Sequence, residues 1–134
     1  MRSLQQRLQV HDVSFGHWTF LRILWIQDGL TQRELSDLAG VMEPTTFVAV
    51  KAMEKMGLIE RRQLPGNRKN MHVFLTPQGR SLQEVLVPLA EEVNRISVAG
   101  LSERSVADVR QSLLKMIENL AADEYGGEIS TQIE

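Results

Sequence analysis

Residues 31–57 are punctuated so tightly that few folds accommodate them. Thr31-Gln32-Arg33-Glu34 has the form of a capping box, in which a hydroxyl and a carboxylate satisfy free amides that open a helix. Gly40 stops that helix, because glycine takes the left-handed conformation of a helix C-terminus without steric cost. Pro44 opens a second helix, where its missing N–H costs nothing, and Gly57 ends it. Leu35, Leu38 and Ala39 in the first helix and Thr46, Ala49, Val50 and Met53 in the second form the expected buried set. Two short helices across a tight turn bury their apolar stripes only against each other and a further element. The pattern predicts a helix-turn-helix.

What flanks it narrows the fold. After Gly57 the period changes: 58–64 and 71–75 read as short strands, with Pro65-Gly66-Asn67 as the turn between them. Upstream, Ser14 is a helix cap, and Phe15, Trp18, Leu21, Leu24 and Trp25 form one helical stripe that Asp28-Gly29 ends. A short polar helix over 3–11 carries Leu4 and Leu8. Downstream, Thr76-Pro77 starts a helix reaching about residue 98, with Pro88 inside it as an expected kink or break. Ser102 caps a last helix with Val106, Val109, Leu113, Met116, Ile117 and Leu120 on one stripe. From Asp123 the chain is acidic and polar and is expected to be a disordered tail. The fold class is mostly α with a small two-stranded β wing. The winged helix-turn-helix occupies 14–76, preceded by a helix in 1–13 and followed by helices in 77–122 and an acidic tail in 123–134.

Charge is distributed unevenly. The net charge is −2, yet 41–75 holds six Lys or Arg against three Glu, a basic patch on an acidic chain. There is no cysteine, so no disulfide, thiolate metal site or thiol switch is expected, and a reducing cytoplasm is compatible. No apolar run approaches the roughly 20 residues of a membrane span, and the N-terminus lacks the apolar stretch of a secretory signal. The histidines are His11, His17 and His72, none spaced i, i+4 from another. GxSxG, P-loop and GxGxxG motifs are absent, so neither an enzyme, a metal nor a cofactor is expected.

A basic helix-turn-helix points to duplex DNA. The second helix enters the major groove with its N-terminal residues at base edges. Thr45, Phe47 and Val48 are the candidate base readers, since threonine bonds to several bases and apolar groups meet the thymine methyl. Lys51, Lys55, Thr31, Gln32 and Arg33 are candidate phosphate contacts, which position without specifying. Arg61, Arg62, Asn67, Arg68 and Lys69 lie on the wing, whose basic tip suits a narrow, electronegative minor groove. Two other classes fit the residues less well: a winged-helix module that binds protein, and a DNA-binding protein without sequence preference.

The run GLTQRELSDLAGV, EPTT, MEKMGLIERR, NRKN and LTPQG resembles the MarR family of bacterial transcription regulators over residues 14–84. The resemblance implies a homodimer joined through the N-terminal helix and the last two helices, with the winged domains binding an inverted repeat as repressor or activator. Many relatives release DNA on binding small aromatic or phenolic acids. His11, Phe15, His17, Trp18, Arg22 and Trp25 are candidate pocket residues for such an acid, aromatic walls with cationic anchors. Three positions depart from the family pattern. Asn67-Arg68-Lys69 stands where Asp-Arg-Arg is usual, Val48 where an Arg is frequent, and the segment before Ser14 is shorter than usual. Without cysteine, the thiol chemistry of the family's peroxide-sensing branch does not apply.

Overall fold

The order of elements follows the caps and stops. The computed structural model, which describes residues 2–133 apart from the side chains of Arg68 and 125–133, has six helices and three strands among those residues. They are α1 (Arg2–Gln9), α2 (Phe15–Ile26), β1 (Leu30–Thr31), α3 (Gln32–Ala39), α4 (Glu43–Lys55), β2 (Ile59–Leu64), β3 (Asn67–Leu75), α5 (Pro77–Ser97) and α6 (Glu103–Ile133). The chain forms two compact units, residues 1–94 and 95–134.

In the first unit, the core is the set of leucines and valines that the helical stripes point inward. Leu8, Leu21, Leu24, Leu35, Val50, Met53, Val73 and Leu86 are completely buried. Burying each contributes about 1.5–3 kcal/mol. Leu4 and Leu8 belong to this core, so α1 commits its two leucines to its own unit. On α2 the expected Trp18, Leu21 and Leu24 are buried and Trp25 partly so, joined by Phe20, whereas Phe15 is 38% exposed. Leu38, expected inside, is 60% exposed, because in the eight-residue α3 the buried face is filled by Leu35 and Ser36.

Capping works much as the residues dictate, with one change. Thr31 Oγ1 accepts from Glu34 N at 3.2 Å, but the Glu34 carboxylate accepts from the Thr31 hydroxyl rather than from its amide. Thr31 also belongs to β1, where it pairs with His72, so its backbone is already engaged in a sheet. Gly40 adopts φ 69° at the end of α3. Helix α4 begins one residue before Pro44, on Met42 as an N-cap that offers no side-chain bond. Helix α5 continues through Pro88 without a break.

The sheet has order β1-β3-β2, all antiparallel, so β1 adds a third strand to the expected two-stranded wing. The two-residue Pro65-Gly66 turn joins β2 to β3, with Gly66 at φ 83°. Asp28 ties the sheet to the helices around it. Its Oδ1 accepts from Gly29 N at 3.0 Å and Leu75 N at 2.9 Å, and its Oδ2 pairs with Arg80 at 2.9 Å.

Helix α6 belongs to the second unit and opens on Ser102, whose hydroxyl accepts from Ser105 N at 3.1 Å. Asp123 and Glu124, expected to begin a disordered tail, lie inside this helix. Ala121, Ala122 and Glu124 are strong helix formers that carry it onward. The side chains expected beyond them in that tail lie outside the described residues.

Candidate nucleic-acid interface

Helices α3 and α4 are fastened by a polar contact that the sequence does not advertise. Ser36 Oγ and Thr46 Oγ1 share a buried hydrogen bond of 2.6 Å across the helix pair. With Thr46, Val50 and Met53 turned inward, α4 presents Thr45, Phe47 and Val48 to solvent. Phe47 is 43% and Val48 68% exposed. Lys51 sits one turn on, its ammonium 4.8 Å from the Phe47 ring centroid. Lys55 closes the helix, where a cation complements the carbonyl end of its dipole.

Three elements converge beside this face. A cleft of about 700 Å³ is lined by Thr31, Gln32 and Arg33 at the start of α3, Glu43, Pro44 and Phe47 at the start of α4, and Lys69, Asn70 and Met71 on β3. Arg33, Lys55 and Lys69 form no ion pair among the described residues. Lys51, too, forms none, so these four side chains are open to an external anion.

Two of the expected wing cations are committed elsewhere. Arg61 alternates to the face of β2 that covers α4 and clasps Glu54 with both Nε and NH2, at 2.9 and 3.2 Å. The guanidinium holds the Glu54 carboxyl below the ordinary carboxylate range, and the carboxylate raises Arg61 in return. In the free chain Arg61 is therefore a fastening between α4 and the wing. Arg62, on the opposite face, stacks 3.9 Å over Phe74 and pairs with Glu60 at 3.1 Å. Asn67 opens β3 across from Leu64. The Arg68 side chain, the expected tip reader, lies outside the described residues.

A second concavity, of about 450 Å³, lies in the first unit between α1, α2 and α5. Four of the six expected pocket residues line it: Phe15, Trp18, Arg22 and Trp25. Trp18 and Trp25 meet edge to face, 5.7 Å apart at 69°, and the Arg22 guanidinium lies 5.6 Å from the Trp18 ring. Helix α5 supplies Gln83, Val87, Glu91 and Asn94. Trp25 Nε1 donates to Gly79 O at 3.0 Å. Gly79 is packed so closely on Leu58 that a Cβ would land on the Leu58 carbonyl.

His11 and His17 do not join this pocket. His11 is exposed in the turn after α1. His17 precedes Trp18, so helical geometry rotates it about 100° away. It lines a shallow apolar groove with Phe20, Pro44, Thr45 and Val48. Burial pushes its imidazole below the ordinary pKa, and its buried Nδ1 has no partner among the described residues. No cluster of metal-ligating side chains occurs among the described residues, and no helix there is long and apolar enough to cross a membrane.

Comparison with known proteins agrees with this architecture. A model described as the MarR family matches residues 13–71. The crystal structure of a MarR transcriptional regulator from Methanosarcina mazei Go1 superposes with a TM-score of 0.82 at 26% identity, over 87% of this chain and 84% of that one. A MarR family transcriptional regulator from Listeria monocytogenes, solved complexed with 26mer DNA, superposes at 0.79 with 27% identity, over 90% and 80%. The HTH-type transcriptional regulator TtmR of Methylorubrum extorquens is 24% identical over 103 residues, 77% of this chain. This chain spans only 53% of that relative's length.

Proposed function

We propose that this chain is a regulator of the MarR family, DNA-binding proteins that are not enzymes, and that it is a repressor that binds an inverted-repeat operator as a homodimer and lets go on binding a small aromatic acid. The observation that carries the DNA reading is the convergence of the α3 start, the outward face of α4 and Lys69 on one cleft with uncommitted cations around it. Arg33, Lys55 and Lys69 meet phosphates, and Thr45, Phe47 and Val48 meet base edges. The proposed action on chromosomal DNA implies a cytoplasmic protein.

The dimer is supported by α6. Val109, Leu113, Met116, Ile117 and Leu120 are each more than half exposed in the single chain. A continuous apolar row on a helix is covered in solution by a partner surface, and a two-fold axis matches two half-sites about one DNA turn apart. The effector is supported by the pocket of Phe15, Trp18, Arg22 and Trp25. Its rings accept an aromatic body, and the Arg22 guanidinium, which lies over the Trp18 face, pairs with a carboxylate.

Binding sites selected from random duplexes, titrated at several salt concentrations, test the first part. The expected winner is a palindrome bound at least about 10³-fold more tightly than random DNA. Enrichment of nothing refutes sequence-specific regulation. Sedimentation of the free protein is expected to give a dimer. Substituted benzoates are expected to change tryptophan emission and release the operator, and Arg22→Met is expected to abolish both responses.

A further inference from the structure

The reading face of α4 carries an unusual set of groups for a protein that sorts base pairs. In the major groove, pairs are distinguished by their hydrogen-bonding edges and by the C5 methyl of thymine. The side chains that sort the edges by paired bonds are Arg, Lys, Asn and Gln. The exposed residues in the first two turns of α4 are Glu43, Pro44, Thr45, Phe47 and Val48, none of them of that kind. Glu43 is acceptor-only, and Thr45 bonds to more than one base. Lys51 is the nearest cation on the helix, and its ammonium rests 4.8 Å from the Phe47 ring centroid.

Core packing does not account for the two apolar residues. Thr46, Val50 and Met53 already provide the buried face of α4, whereas Phe47 is 43% and Val48 68% exposed. Val48 also edges an apolar groove it shares with Pro44, Thr45 and Ala49, while Phe47 borders the neighbouring cleft at the start of α4. The apolar group that the major groove offers such a surface is a methyl on C5 of a pyrimidine.

We infer that this protein distinguishes base pairs in each half-site chiefly by pyrimidine C5 methyl groups, taken up by Phe47 and Val48, with Lys51 held on the Phe47 ring as a phosphate anchor. The inference rests on the DNA-binding function proposed above and adds the chemistry by which sequence is read. Its consequence is specific. The protein sees the methyl and not the thymine, so 5-methylcytosine at a contacted position presents the same feature.

The probe is the operator selected from random duplexes, resynthesised with deoxyuridine in place of thymidine in the half-sites. Each contacted methyl removed is expected to weaken binding about fourfold, the equivalent of the ~0.8 kcal/mol for burying one such group, compounding across the two half-sites. Exchanging a contacted thymine·adenine pair for cytosine·guanine, and then for 5-methylcytosine·guanine, is expected to lose affinity and then recover about fourfold. Phe47→Ala and Val48→Ala, confirmed as folded by their melting curves, are each expected to shrink the thymine-to-uracil ratio. A uracil operator bound as tightly as the thymine operator overturns the inference, as does an undiminished ratio in both variants. A selection that enriches no sequence instead removes the DNA-reading function on which it rests.

Discussion

Replacing Gly79 by alanine tests how tightly the end of the recognition helix is held. The added methyl would fall on the Leu58 carbonyl oxygen and lie 2.9 Å from the carbonyl carbon. Neither is free to yield, because Leu58 O accepts from Thr76 N at 3.0 Å and Leu58 N donates to Met53 O at 3.0 Å. The first turn of α5 must therefore withdraw, which strains the 3.0 Å bond from Trp25 Nε1 to Gly79 O. Overpacking of this kind costs about 1–3 kcal/mol, and a lost hydrogen bond about 1 kcal/mol. Alanine returns about 1 kcal/mol through its better helix propensity. The net is roughly 2 kcal/mol, or about 8 °C in Tm for a chain of this length. Thermal unfolding followed by circular dichroism reads it directly. Gly40→Ala is the control: nothing lies within 4 Å of its Cβ, so only the φ of 69° is penalised, by about 1 kcal/mol. If Gly79→Ala melts at or above the parent, the close approach of α5 to Leu58 is not a constraint and the reasoning fails.

Two further outcomes follow from the same geometry. His17 is held below its ordinary pKa of 6.5 by burial. Above that value both folded and unfolded chains are neutral and stability is complete; as pH falls below it the unfolded chain is protonated first and stability drops towards the folded pKa. His17→Gln is expected to flatten the decline in Tm between pH 7 and 5, and an identical decline in the variant would refute this. Arg33→Ala is expected to weaken selected and random DNA alike and to reduce the salt dependence by about one phosphate per protomer. A loss confined to the selected operator would make Arg33 a base reader instead.

Much of this fold is legible because its elements are bounded by residues with strong local preferences. Thr31, Gly40, Gly57 and Thr76 each mark an end within a residue or so, and the inward Thr46, Val50 and Met53 follow from helical spacing alone. What escaped reading depends on partners distant in sequence. Arg61 counts as one more wing cation until the strand alternation sets it against Glu54, on a different element. Asp28 reads as a helix stop, yet its carboxylate anchors Leu75 N and Arg80, about fifty residues away. β1 is two residues long and has no pattern of its own; it is a strand because β3 lies beside it. Phe15, Trp18, Arg22 and Trp25 line one concavity, whereas His11 and His17, expected with them, lie on other faces.

Thr31 is shared property. The same residue ends β1 opposite His72 and caps α3 through its hydroxyl. The hairpin and the helix-turn-helix therefore have no linker between them that could act as a hinge. Tilting the hairpin rotates Thr31, and rotating Thr31 unseats the helix it caps. The two parts meet a surface as one rigid gauge, with the spacing between wing and recognition helix set in advance rather than adjusted on contact. Such a gauge loses little entropy on binding a surface that fits and has little means to accommodate one that does not.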